Sequence, residues 1–264
     1  MAAHARPVSF HGLEAIELGA GDGARAIVTL QGAQVVSWIP AAGRERLFVS
    51  ARSPFAVGQP VRGGMPVIFP QFSKRGPLPH HGFVRTRLWQ PVQGAGGSER
   101  RAAFRLRSSD ETLRIWTHAF ALELVVAVGG PRLDVELVVR NTGEREFSFT
   151  GALHTYLGVT DVARARLEGL PGLGELHPID RVFVDAPQRT RLVDSGRELE
   201  ITQRGFRDTV VWNPGRERCE AMTEMEPEGF LRMLCVEAAA AEHPVAVAAG
   251  GEWRGGQGLL ALTE

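Results

Sequence analysis

The sequence predicts an all-β fold, a large antiparallel β-sandwich with few short helices. Apolar residues recur with a period of two, the runs that carry this pattern are short, and turn residues punctuate them. Alternation of that kind sends successive side chains to opposite faces of a sheet. Many short strands separated by turns favour a sandwich over a helix-covered sheet. The chain has 264 residues and is 44% apolar, enough for a sizeable core in one domain spanning residues 1–264.

Taken in order, strands are expected at Ala26–Leu30, Val35–Ile39, Ala102–Leu106, Leu113–Thr117 and Ala121–Val128. Gly94-Ala95-Gly96-Gly97-Ser98 reads as a hairpin tip. The clearest alternation is Leu133-Asp134-Val135-Glu136-Leu137-Val138-Val139, apolar at the odd positions and stopped by Asn141-Thr142-Gly143. From Glu146 to Val159 the same period puts Phe147, Phe149, Gly151 and Leu153 on one face. Ser148, Thr150, Ala152, His154 and Tyr156 fall on the other. Later candidates are Glu198–Thr202, Thr209–Trp212, Leu231–Val236, Val245–Ala249 and Gly258–Leu262. Short helices are expected at Cys219–Met225 and Ala238–Glu242.

Lys+Arg and Asp+Glu are both 30. A chain without positive excess is a poor candidate for generic nucleic-acid or polybasic membrane binding. Two cysteines, Cys219 and Cys235, give neither a disulfide framework nor a metal knuckle, and buried thiols are expected. No apolar run approaches the roughly 20 residues of a membrane span. Met1 to His11 lacks the layout of a secretory signal. The expectation is a soluble, cytoplasmic, monomeric protein.

The most informative segment is Val61-Arg62-Gly63-Gly64-Met65-Pro66-Val67-Ile68-Phe69-Pro70 with Pro79-His80-His81-Gly82-Phe83-Val84-Arg85. Gly and Pro fix unusual backbone angles, so the span holds a shape. Its arginines suit an anionic, oxygen-rich ligand, or are solvated charges on a surface loop. Adjacent His80 and His81 would face opposite ways on a strand, a poor arrangement for a shared metal.

Three further residues carry candidate chemistry. His154 follows small neighbours that leave room for a ligand; alternatively it is hydrogen-bonded within the sheet. Glu237 ends the apolar run Leu231-Arg232-Met233-Leu234-Cys235-Val236. There it is either a desolvated base with a raised pKa or a solvated strand-end charge. Asp208 opens Asp208-Thr209-Val210-Val211-Trp212-Asn213-Pro214, where a turn or capping role is common. No HExxH, nucleotide-binding glycine loop or Gly-x-Ser-x-Gly elbow occurs.

Read together, Arg62-Gly63-Gly64-Met65-Pro66 with Phe69-Pro70, His80-His81-Gly82-Phe83-Val84-Arg85, His154-Thr155-Tyr156, Asp208 to Pro214 and Cys235-Val236-Glu237 resemble the aldose 1-epimerase superfamily. The likeness is closest to its hexose-6-phosphate mutarotase branch, the glucose-6-phosphate 1-epimerases. It implies a galactose mutarotase-like supersandwich with a concave sugar site. It implies His154 as general acid and Glu237 as general base, with His81 and Asp208 against sugar oxygens. Arg62 and Arg85 go to the phosphate end, and Lys74 in the same loop is a further phosphate candidate. The small-molecule partner would be a hexose 6-phosphate, with no cofactor and no metal. The chain departs from the family pattern at Ala238-Ala239, where Pro-Gly is usual, and at Gly215, where an aromatic often follows Asn-Pro. The loop from Phe72 to Pro79 is also short. Those departures bear on pocket shape rather than on the acid–base pair. A mutarotase of unphosphorylated aldoses, a non-catalytic carbohydrate-binding module and a structural domain without a small ligand are the competing readings.

Overall fold

The structure is a computed structural model that describes residues 3–92 and 100–263. The expected Gly94–Ser98 tip lies outside the described residues. Three sheets account for the named strands, and every pairing between those strands is antiparallel. A four-stranded sheet runs in chain order through His4–Phe10, Leu13–Gly19, Arg25–Thr29 and Val35–Ile39. An eight-stranded sheet is ordered Arg166–Glu168, Arg189–Asp194, Arg197–Arg204, Glu252–Thr263, Arg132–Asn141, Phe120–Gly129, Arg101–Arg107 and Gln90–Pro91. The six-stranded sheet carries the candidate chemistry. Its order is Ile179–Phe183, Asp208–Asn213, Met233–Val247, Phe147–Leu153 and Val67–Ile68, with Tyr156–Gly158 also paired to Met233–Val247.

The period-two pattern decides how the two larger sheets stack. Leu234, Val236, Ala238 and Ala240 share one core with Leu122, Leu124, Val135, Leu137 and Leu259 of the eight-stranded sheet. Each buried Leu or Val contributes about 1.5–3 kcal/mol relative to exposure. The alternate residues of the same strand point the other way. Met233 and Cys235 join Tyr156 and Trp212 in a second cluster, and Ala239 and Ala241 join Ile68 and Phe72 in a third. The faces expected for Phe147 to Tyr156 are those observed: Phe147, Phe149 and Leu153 lie in the inter-sheet core, while Ala152 and Tyr156 lie in the clusters outside it. Both cysteines are buried and free.

Three expectations fail. Ala238–Glu242 is strand, embedded in the long Met233–Val247. Alanine is the best helix former, but propensity is a weak determinant, and packing overrides it here where Ala239 and Ala241 join Ile68 and Phe72 in a buried cluster. Leu113–Thr117 is not a strand, because Asp110–Ile115 forms a helix. Ser109 caps it in a reciprocal box with Thr112, and Asp110 and Glu111 complement its N-terminal dipole. The helix expected at Cys219–Met225 lies earlier, at Gly215–Glu220. Gly215 adopts φ +66°, and a Cβ there would approach Pro178 to 2.8 Å. The family's aromatic is thus excluded at this position by the local backbone.

Candidate active site

Register alone brings His154 to Glu237. Leu153 pairs with Ala238 and Tyr156 with Cys235, so His154 falls opposite Glu237. Val236 N–H donates to the Thr155 carbonyl at 3.1 Å, closing the gap between the two paired segments. His154 Nδ1 lies 3.4 Å from Glu237 Oε1. Glu237 does not end its strand as expected. It sits inside the 15-residue Met233–Val247 and is 1% exposed. Burial pushes its carboxyl well above the usual carboxylate range, and the Asp180 carboxylate adds to the rise. His154 is also buried. Desolvation, with the charges of Arg62 and Arg85, holds its imidazole well below the usual value. Both shifts favour the uncharged forms, a protonated carboxyl beside a neutral imidazole.

A clasp from behind holds this pair. Thr155 Oγ donates to Gln257 Oε1, and Gln257 Nε2 donates to the Val236 carbonyl at 3.0 Å. Gln257 belongs to the eight-stranded sheet, so the neighbours of His154 and Glu237 are tied to one side chain across the core.

In front of the pair lies a cavity of about 120 Å³ lined by His81, His154, Asp180, Trp212, Arg218 and Glu237 among others. A second cavity of about 370 Å³ shares Arg62, His80 and His154 with it and adds Arg52, Arg85, Tyr156 and Glu224. Together they form one cleft of ordinary ligand-site size. Tyr156 stacks on His154, ring centroids 4.8 Å apart and planes 9° from parallel. Its hydroxyl accepts from Arg62 Nη1 at 3.1 Å. Arg85 Nη2 donates to the His80 carbonyl at 3.1 Å, and burial lowers its pKa.

His80 and His81 occupy a turn, not a strand, and their rings lie 4.0 Å apart. His81 takes a left-handed φ of 64°. Ser73 N–H donates to His81 Nδ1 at 3.2 Å, which leaves Nε2–H as the donor of the neutral ring. Desolvation, with the charge of Arg85 nearby, holds the His81 imidazole well below its usual value. The turn is pinned at its neck: His81 N–H donates to Ser73 O at 2.9 Å and Phe83 N–H to Phe69 O at 3.1 Å. Gly82 at φ 68° lies against the Phe69 carbonyl, where a Cβ has no room. Among the described residues no group of three or more His, Cys, Asp or Glu has the proximity to hold a metal ion.

The structure therefore brings His154, Glu237, His81, Arg62 and Arg85 to one cleft. Asp208 and Lys74 line neither cavity. Asp208 is fully buried two rungs from Glu237, opposite Ala239. Its carboxylate accepts from Ala241 and Glu242 N–H at 2.9 Å each, both on the long Met233–Val247 strand. Lys74 is exposed on the turn. The carboxylate that does face the cleft is Asp180, which pairs with Trp212 on the edge strand and bonds Arg218 at 3.1 Å. Sequence reasoning missed it, along with Glu224. The alternation of Ile179–Phe183 was the available signal for Asp180; Glu224 lies in a loop that offers none.

A sequence model of the aldose 1-epimerase family matches residues 14–177. A protein of Cenchrus ciliaris named "Putative glucose-6-phosphate 1-epimerase" is 34% identical over 95% of this chain and 85% of its own. A solved structure titled "putative mutarotase", from Salmonella typhimurium, superposes with a TM-score of 0.89 at 26% identity, covering 99% of this chain and 94% of its own. A galactose mutarotase-like protein from Clostridium acetobutylicum shares the fold, with a TM-score of 0.76 at 13% identity over 99% of each chain. The sandwich, the His154–Glu237 pair in its cleft and these likenesses agree, and the chain belongs to the aldose 1-epimerase family.

Proposed function

We propose that the protein interconverts the α and β anomers of a hexose 6-phosphate. The observation that carries this reading is the continuity of the cleft: the His154–Glu237 pair opens at one end onto the space lined by Arg62 and Arg85. Glu237 takes the proton of the anomeric hydroxyl while His154 gives one to the ring oxygen. The C1–O5 bond breaks, the C1 carbonyl forms, rotation about C1–C2 presents its other face, and closure reverses the two proton transfers. Each positioned group is worth roughly 10²–10⁴-fold in such a reaction. His81, donating through Nε2, and Asp180 are the groups placed for sugar hydroxyls.

The resting pair is neutral, with its proton on Glu237. Moving that proton to His154 arms base and acid together. The charges of Arg62 and Arg85 oppose this move, and a bound phosphate dianion offsets them. The phosphate thereby raises the proton affinity of the imidazole as well as anchoring the sugar.

Anomer-exchange NMR with catalytic amounts of protein tests the reading. Exchange of glucose 6-phosphate well above the spontaneous rate, and much less on glucose, is expected. Equal exchange of both sugars would replace the hexose phosphate with free aldoses. Tight binding without exchange would make the protein a carbohydrate-binding module.

A further inference from the structure

Three arginines, Arg52, Arg62 and Arg85, line the outer part of the cleft, and Glu224 is the one carboxylate among its lining residues. Glu224 Oε1 is paired with Arg62 Nη2. The two side chains are 33% and 24% exposed, so water reaches the pair and it can open. Its Coulomb contribution is correspondingly modest. Burial raises the Glu224 carboxyl, and its bond to Arg62 more than offsets this, so the group is ionised. The pair leaves Arg62 unsaturated: the Nε atom is buried and without a partner among the described residues.

The loop that presents Glu224 is fixed two residues later. Glu226 accepts from Ser50 Oγ at 2.7 Å and from Ala51 N–H at 2.9 Å. Glu224 is held less firmly: besides Arg62, its carboxylate accepts from Thr223 Oγ at 3.3 Å and from its own backbone N–H. A short arm on a fixed pivot thus sets a carboxylate on a guanidinium whose Nε–H is unused.

We infer that Glu224 is a built-in competitor at the anion subsite, seated on Arg62 when the cleft is empty and displaced by the phosphate of the substrate. The inference rests on the hexose 6-phosphate reading. A neutral sugar gains nothing by breaking the pair. A singly charged carboxylate replaces like with like. A phosphate dianion brings more charge and a third oxygen to a subsite with a surplus of two positive charges, and its geometry suits an arginine fork. Glu224 therefore weakens all anions by a common factor, which keeps weak ones out and lets a sugar phosphate leave.

The test is calorimetric titration of the full chain with inorganic phosphate, glucose 6-phosphate and glucose, for wild type, Glu224→Gln and Glu224→Ala. Both variants should bind both phosphates about two- to tenfold more tightly, with a rise in the affinity ratio over glucose. The gain should appear in KM and not as a higher kcat. Glu224→Asp, which keeps the charge, should fall between wild type and Glu224→Gln. Unchanged or weaker phosphate binding in both Gln and Ala variants would overturn the inference and make Glu224 a support for Arg62. Wild type that binds phosphates but exchanges no anomers would sink the catalytic reading alone, leaving the titration to judge Glu224. No phosphate binding by any of the proteins would overturn both.

Discussion

His154 Nδ1 stands 3.4 Å from Glu237 Oε1, yet neither that nitrogen nor Glu237 Oε2 has a hydrogen-bond partner among the described residues. Buried polar atoms are rarely left unpaired, and each costs stability. The nitrogen approaches the other carboxylate oxygen, Oε1, so each of the two groups carries one unpaired polar atom where they line the cleft.

Replacing either group should therefore remove catalysis and spare the fold. Glu237→Gln and His154→Asn are each expected to lower saturated anomer exchange of glucose 6-phosphate by roughly 10²–10⁴-fold. Circular dichroism provides the folding check. A folded variant working near the wild-type rate would overturn the assignment of that residue.

The same substitution should stabilise the protein at high pH. The folded pKa of Glu237 is raised above 4.5, so above that pH the unfolded chain loses a proton that the folded chain keeps. Stability then falls with rising pH, by up to about 1.4 kcal/mol per unit, until the folded pKa is reached. Glu237→Gln has no such loss, and its advantage in denaturant titrations should grow from pH 5 to pH 8. His81 and His154 act with the opposite sign. Their folded values lie below 6.5, so wild type and variant alike lose stability as the pH falls below that value. A constant gap between the two proteins would mean that Glu237 is ionised in the folded state.

Arg62→Ala and Arg85→Ala should each weaken glucose 6-phosphate binding more than glucose binding. A charge-assisted hydrogen bond is typically worth about 1.5–3 kcal/mol, or roughly ten- to a hundredfold in affinity. Lysine at either position should restore part of the loss, since it keeps the charge without the fork. Equal damage to both sugars would assign these arginines to the ring or to the loop.

Binding of a phosphate dianion should also be felt at His154. Arg62 and Arg85 help to hold its imidazole neutral, so inorganic phosphate should move its titration, followed by NMR of labelled histidine, toward higher pH. Sodium chloride at matched ionic strength is the control. An unmoved His154 resonance would separate the phosphate subsite from the proton transfer.

Gln257 is expected to act as a positioning residue. Gln257→Leu keeps the volume and removes both links to Thr155 and Val236. It should lower kcat about tenfold or more with little change in KM, because the reacting groups lose their alignment while the cleft stays. Gln257→Glu retains one acceptor and should be rescued in part at low pH. A fall in thermal stability with kcat intact would reduce Gln257 to a core link.

Much of this was legible in the sequence because alternation is local. The faces of Phe147 to Tyr156 follow from the pleat alone. What joins His154 to Glu237 is the register of two strands far apart in the chain, which no local pattern states. The two aspartates make the same point. Asp180 and Asp208 both sit near strand starts, and only the pairing of Asp180 with Trp212 sends one to the cleft while Ala241 and Glu242 consume the other. The alanine run at Ala238 misled for a different reason: even the strongest helix propensity yields to tertiary packing, here against Ile68 and Phe72.

The neck at Phe69, Ser73, His81 and Phe83 has a further meaning for how such a chain can change. Residues 74–80 are bracketed by the Ser73–His81 and Phe69–Phe83 hydrogen bonds, beside which Gly82 admits no side chain. Insertions or deletions in that stretch are expected to leave His81 in its place, whereas a side chain at Gly82 should displace it. Drift in the turn can thus remodel the mouth of the cleft while the reacting groups inherit an unaltered frame, so new preferences can arise one loop length at a time.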